Sequence, residues 1–421
     1  MIEKIGNAGP QTSGQARQRE SSRSKPIGTW VCSRRAIACA FALSLFLGSP
    51  LACRADKVDE VVSAEMQKYR ITGLSLAIID KSDIATAKGY GFTDQGGKVP
   101  VTTSTLFQAG SVSKPVAALG ALHLVEQGKL SLNEDVNRFL TTWKVPENDL
   151  TKDQKVTLRR ILSHSAGLTV HGFPGYAAGQ PIPTLVQILD GAKPANTAAI
   201  QVDVIPGSRW RYSGGGYTVM QQMLIDVTGK PFPQFMREAV LEPLGMASST
   251  YEQPLPDGLI ARAATGYYAS GKEVEGRCHI YPEMAAAGLW TTASDLARLA
   301  ICVQKALAGE AKQVISQSMA RQMLTDQKSG SGLGGGVDLL VRAVRETLKQ
   351  GSGWGLGWSL DGSGKTLRFS HGGRDEGFDA FVTAFAEGGR GAVVLINAND
   401  NSGAVHRVVE AIAQQYQWPA P

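Results

Sequence analysis

Ser111 and Lys114 stand three residues apart at the head of "SVSKPVAALGALHLVEQGK", an apolar run long enough for a buried helix. On a helix, positions i and i+3 share a face, so a hydroxyl and an amine at that spacing touch. The first turn of a helix offers unsatisfied N–H groups and the positive end of its dipole, which favour negative charge developing on an oxygen. A lysine held against an apolar wall loses its proton more readily and serves as a base near neutral pH. The pair is therefore a candidate activated nucleophile of the Ser-Lys kind. Alone, the S-x-x-K spacing recurs by chance on solvated surfaces, so the weight must come from other residues.

Two further stretches add to it. "WRYSGGGY" sets Tyr212 in a glycine-rich loop, where a phenol can reach a cleft; beside an ammonium its phenolate would be stabilised, so it can relay protons. "LRFSHGGRDEGF" sets His371, Gly372 and Gly373 at the end of a strand, and glycines there let a substrate backbone approach the edge. Other motifs carry no chemistry. "GSGKT" at 362–366 has Ser359 where a phosphate-binding loop needs glycine, and it joins two strand-like runs, so it reads as a hairpin turn. No G-x-S-x-G elbow is present. His164 and His171 lack a third ligand at metal-binding spacing, and His123 reads as a core or boundary histidine. No metal or cofactor is expected.

The elements that must position these residues follow from periodicity. "DKVDEVVSAEMQKY" is an amphipathic helix, and "TGLSLAIID" and "IATAKGYGFTD" form a hairpin. The helix carrying Ser111 begins next and stops at Gly128. Short helices in Pro- and Gly-containing loops fill the middle. "TTASDLARLAICVQKAL" starts with a capping box from Thr292 to Asp295. Residues 328–353 are a Gly-rich excursion around "VDLLVRAVRETL". "GWGLGWSL", "TLRFSHGG", "FDAFVTAFA" and "GAVVLINA" return as strands before a last helix, "VHRVVEAIAQQY". The expected fold is α+β: an antiparallel sheet from residues 56–130 and 286–421, flanked by helices, with a mostly helical part at 131–285.

Taken in order, these stretches resemble the class C serine β-lactamases and the related penicillin-binding DD-peptidases and carboxylesterases. The resemblance runs from residue 57 to the end, through "TGLSLAIID", "TLFQAGSVSKPVAAL", "LRRILSHSAGL", "YSGGGY", "AAGLWTTASDLARL", "GWGLGW" and "SHGG". It implies that Ser111 is acylated, that Lys114 is its base partner and that Tyr212 relays protons to the leaving group and to the deacylating water. It implies that His371-Gly372-Gly373 is the substrate-binding strand triplet, with the backbone N–H groups of Ser111 and Arg374 as oxyanion hole. Two departures concern substrate. Gly214 stands where the lactamase motif usually carries asparagine, and His371 stands where many relatives have lysine. Carboxylate-bearing substrates would then rely on Arg374, if its side chain points inward. The expected activity is that of an exported serine hydrolase acting on a small-molecule or peptide ester, amide or β-lactam. An esterase or D-amino-acid peptidase ranks narrowly above a true β-lactamase, and a non-turnover penicillin-binding sensor is the alternative.

The first 55 residues read as a leader. Arg34 and Arg35 precede an apolar stretch from Ala36 to Gly48, too short to span a bilayer, with small residues after it. "SRRAIA" partly resembles a twin-arginine signal and "PLAC" a lipoprotein box with a lipid anchor at Cys53; Sec, Tat and lipoprotein processing stay open. The leader carries eight basic and two acidic residues, which leaves 35 of each in residues 56–421. The chain's net charge of +6 therefore belongs to the leader and gives no argument for nucleic acid. Cys278 and Cys302 would be free to pair in an oxidising compartment, which spacing alone does not decide.

Overall fold

The structure, a computed structural model, describes residues 56–310, 314–328 and 353–419. The leader and most of the Gly-rich excursion, with "VDLLVRAVRETL", lie outside the described residues.

Helix α1, Lys57–Tyr69, starts where the Asp56 side chain accepts from the Val58 amide and ends on Arg70 in the left-handed conformation (φ 57°). Strands β1, Gly73–Asp80, and β2, Asp83–Gly91, form the expected hairpin. Lys81 and Ser82 turn it with φ of 53° and 57°, as a two-residue type I′-like turn requires. After the short strand β3, Phe107–Gln108, a single 3₁₀ turn at Gly110–Val112 leads into helix α2, Ser113–Glu126. Eleven of the fourteen residues of α2 are buried, so it is apolar on all sides. The expectation that Ser111 opens this helix needs correction: the α-helix begins two residues later. Gly110, at φ +49°, bends the chain just before, and Pro115 sits in the first turn of α2, where its missing N–H costs nothing.

The middle of the chain is helical and loop-rich, its longest helix being Gly214–Thr228, capped by Ser213. Strand β4, Trp290–Thr291, pairs with β3 and leads into the helix Ala293–Ala308. Thr292 caps that helix by accepting from the Asp295 amide, but the Asp295 carboxylate binds Ser248, Ser249 and Arg298 instead, so only half of the expected capping box forms. The remaining strands are β5, Gly353–Trp354; β6, Ser359–Asp361; β7, Arg368–Asp375; β8, Phe378–Phe385; and β9, Gly391–Ile396. "GSGKT" makes the connection between β6 and β7, as expected of a hairpin turn. With β1 and β2 these strands form one seven-stranded antiparallel sheet in the order β2-β1-β9-β8-β7-β6-β5.

Both faces of the sheet are covered, which is why β1 is buried along nearly its whole length. Leu74, Leu76 and Ile78 pack under α1 and the C-terminal helix, Ala404–Gln415, with Val62, Val408 and Ile412. Ala77, Ile79, Val393 and Leu395 face the larger core shared with α2 and the helix Ala293–Ala308. Cys278 and Cys302 are both free thiols. No described helix is long and apolar enough to cross a membrane.

Candidate active site

Two glycines set the position of Ser111. A Cβ on Gly373 would lie 1.9 Å from the Ala109 carbonyl oxygen, and one on Gly110 would lie 2.4 Å from the Arg374 amide nitrogen. Strand β7 and the 3₁₀ turn bearing Ser111 are thus in backbone contact that only glycine permits. This contact sets the Ser111 turn against the part of β7 that carries the Arg374 backbone amide.

Lys114, 2% exposed, projects from the first turn of α2 and donates to the Ser111 hydroxyl at 2.9 Å and to the Ala286 carbonyl at 2.8 Å. Burial pushes its ammonium down to about 7, against an opposing pull from Asp375. At neutral pH a large fraction of such a lysine is free amine, able to take the serine proton. The Lys114 nitrogen also lies 5.0 Å from the Tyr212 ring centre.

Tyr212 corrects one expectation. Burial holds its phenol above the usual value, only partly offset by the Ser111 side chain, and Lys114 does not bring it down. The physical reason is that the same burial that encloses the phenol removes much of the lysine's charge. Tyr212 is therefore a protonated phenol at neutral pH, not a standing phenolate. Its ring lies between two imidazoles, His164 at 4.1 Å and His171 at 4.9 Å between centroids. His164 accepts from the Ser213 amide through Nδ1 at 3.1 Å, and burial keeps it neutral. Sequence reasoning weighed these histidines only as metal ligands. Their place around Tyr212 has a signal in retrospect, since His164 lies within "LRRILSHSAGL" and His171 in the loop that follows it.

His371 is 4% exposed, donates through Nδ1 to the Gly372 carbonyl at 2.7 Å and is pushed down to about 3 by burial and by Lys114. It is a neutral ring. Arg374 does not point into the site as a free cation. Its guanidinium forks onto Asp379, with Nε donating at 2.7 Å, and also reaches Asn401 and the Asp400 carbonyl. Asp379 is the residue directly opposite Arg374 across the β7–β8 hairpin. Arg368 is paired with Asp361, its opposite number on β6, through one guanidinium nitrogen. Gly214 opens the helix Gly214–Thr228 beneath loop 171–174: a Cβ there would come within 3.0 Å of the His171 carbonyl and the Phe173 ring, so this loop closes over the place an asparagine would use.

These residues line one cavity of about 1170 Å³, which contains Ser111, Lys114, Tyr212, the His371-Gly372-Gly373 triplet and Arg374, with Phe173, Tyr281 and Trp354 as aromatic wall. The cavity is large enough for a small peptide or an extended ester. A family model described as Beta-lactamase matches residues 58–417.

The chain belongs to the Beta-lactamase family.

Among curated relatives of this family member are the protein flp of Staphylococcus aureus, 24% identical over 56% of the chain and 45% of the relative. The putative penicillin-binding protein PbpX of Bacillus subtilis is 27% identical over 51% of the chain and 50% of the relative. The chain thus spans about half the length of the curated relatives it matches. Similar solved structures include an octameric penicillin-binding protein homologue from Pyrococcus abyssi, with a TM-score of 0.67 at 22% identity over 86% of this chain and 77% of that one. A beta-lactamase/D-alanine carboxypeptidase from Pseudomonas syringae has a TM-score of 0.63 at 21% identity over 86% of this chain and 99% of that one. At this identity they establish the fold: an α+β scaffold with a large antiparallel sheet.

Proposed function

We propose that the protein is an exported serine hydrolase that works through an acyl-Ser111 intermediate and prefers uncharged esters and amino-acid esters or amides to β-lactams. The observation that carries the mechanism is the buried Lys114 amine on the Ser111 hydroxyl. Lys114 takes the serine proton as Oγ bonds to the carbonyl carbon, and the amides of Ser111 and Arg374 receive the oxyanion. Tyr212 gives its proton to the leaving oxygen or nitrogen as that bond breaks and recovers one from Lys114. A water then reverses the sequence and frees the acid. The leader supports export, with lipid attachment at Cys53 as one form of it.

The preference rests on charge. A β-lactam or a C-terminal peptide brings a carboxylate close to the strand triplet, where His371 is neutral and both cavity arginines are already paired with aspartates. An uncharged leaving group needs no such partner. The test is a side-by-side assay of a short-chain p-nitrophenyl ester and a chromogenic cephalosporin, with Ser111→Ala as blank. Ester turnover lost in the blank, with little cephalosporin hydrolysis, is the expected result. Fast cephalosporin turnover would make the protein a true β-lactamase, and ester hydrolysis surviving in the blank would reject acyl-Ser111.

A further inference from the structure

Two buried carboxyl groups beside the cavity have no part in that chemistry. Asp375 is 3% exposed and Glu283 is fully buried, and neither carboxyl has a hydrogen-bond partner. Strand alternation puts Asp375 on the same face of β7 as Gly373, against the 3₁₀ turn that carries Ser111. The Gly110 amide faces Asp375 but falls short of hydrogen-bond geometry. An ionised carboxylate enclosed in this way is costly unless a positive charge opposes it. The cation that opposes it is Lys114.

The surroundings of the two groups narrow the reading. Lys114 faces Ser111, Tyr212, Tyr217, His164, His171, His371 and the Ala286 carbonyl, and burial lowers all three imidazoles. Asp375 faces Lys114 from α2, Tyr281 and Glu283 from the segment before the short helix Met284–Ala287, Glu376 from its own hairpin turn and Cys278 from the loop beyond. Asp375 is the acid whose field acts on the lysine.

We propose that Asp375 is the counter-charge of Lys114, a positioning residue that acts through the lysine and sets the pH range in which Ser111 is acylated. The inference rests on the acyl-serine reading above. The pair holds one proton in two forms, ammonium with carboxylate or amine with carboxylic acid, and the buried site is neutral in both. Glu283, pushed up to about 8 by burial, is a carboxylic acid at neutral pH and leaves that balance undisturbed.

The test needs no substrate. The full chain and its Asp375→Asn variant are labelled with a fluorophosphonate across a pH series, and modification of Ser111 is followed by intact mass. Asparagine does not stabilise the ammonium, so the acid-side inflection of the labelling rate is expected to fall by about one pH unit. An inflection that stays or rises in a variant with the wild-type melting profile overturns the proposal. If the asparagine variant does not fold, Asp375→Ser decides: it too lacks the carboxylate, so its inflection should fall, and one that stays or rises overturns the proposal. Wild-type protein that takes no label at any pH rejects the acyl-serine reading itself, and this inference with it.

Discussion

Burial of Lys114, the proposed base, has two opposing consequences. Its folded value of about 7 lies below the 10.5 of an unfolded lysine, so between those values the unfolded chain binds the extra proton and stability rises with pH. Below about 7 the penalty is fully present. Lys114→Met, of similar length and without the charge, is expected to stabilise the protein at pH 7 by roughly 2–4 kcal/mol, after the lost hydrogen bonds are discounted. Calorimetry at pH 7 and pH 10 checks this, and the gain should shrink at the higher pH. Activity should vanish in the same variant. In the wild type, kcat/KM should fall about tenfold per unit as pH drops below about 7, because the ammonium has no lone pair for the serine proton. Tyr212→Phe removes the relay and should lower kcat about 10²–10³-fold with a small change in KM.

At the scale of elements, the decisive contact is that between β7 and the Ser111 turn. Gly373→Ala would drive a methyl into the Ala109 carbonyl and push the Arg374 amide out of line with Ser111. The expected loss is ~100-fold or more in kcat, the usual consequence of a misplaced oxyanion donor. A fluorophosphonate should still label the variant, because Lys114 remains in place. This contact also marks the limit of what the sequence conveys. Strands and long helices announce themselves by period, as in β1, the β1–β2 hairpin and the helix Ala293–Ala308. The 3₁₀ turn before α2 does not, because an apolar run gives no sign of where its helical bonds begin. The pairing of Arg374 with Asp379 was legible in principle. Read as a hairpin with Glu376-Gly377 at its tip, "RDEGFD" sets the two residues face to face. Ser111, Lys114, Tyr212 and His371 were visible as types in order. Asp375 and Glu283 were not, since an acid in a sequence is usually solvated and only burial makes it unusual.

For the whole molecule, charge and thiols give the tests. Residues 56–421 carry equal numbers of basic and acidic residues, so removal of the leader should abolish the net positive charge and any retention on a cation exchanger near neutral pH. Burial pushes the Cys278 thiol up to about 11 and the Cys302 thiol up to about 12. Both should resist iodoacetamide in the native protein and react once it is denatured, which peptide mass spectrometry of alkylated samples reads directly. A covalent link between them in the purified protein would contradict the fold described.

The order of the sheet also has a meaning in time. Strand β1 lies between β2 and β9, and the Gly73 amide donates to Asn397, a residue 324 positions further along. A ribosome making this chain delivers the β1–β2 hairpin first and its other neighbour last. Until the final strand emerges, β1 has an open edge and α1 lacks the helix it packs against, so the sheet cannot close on a growing chain. Synthesis of β9 and of the C-terminal helix is then the event that closes the sheet.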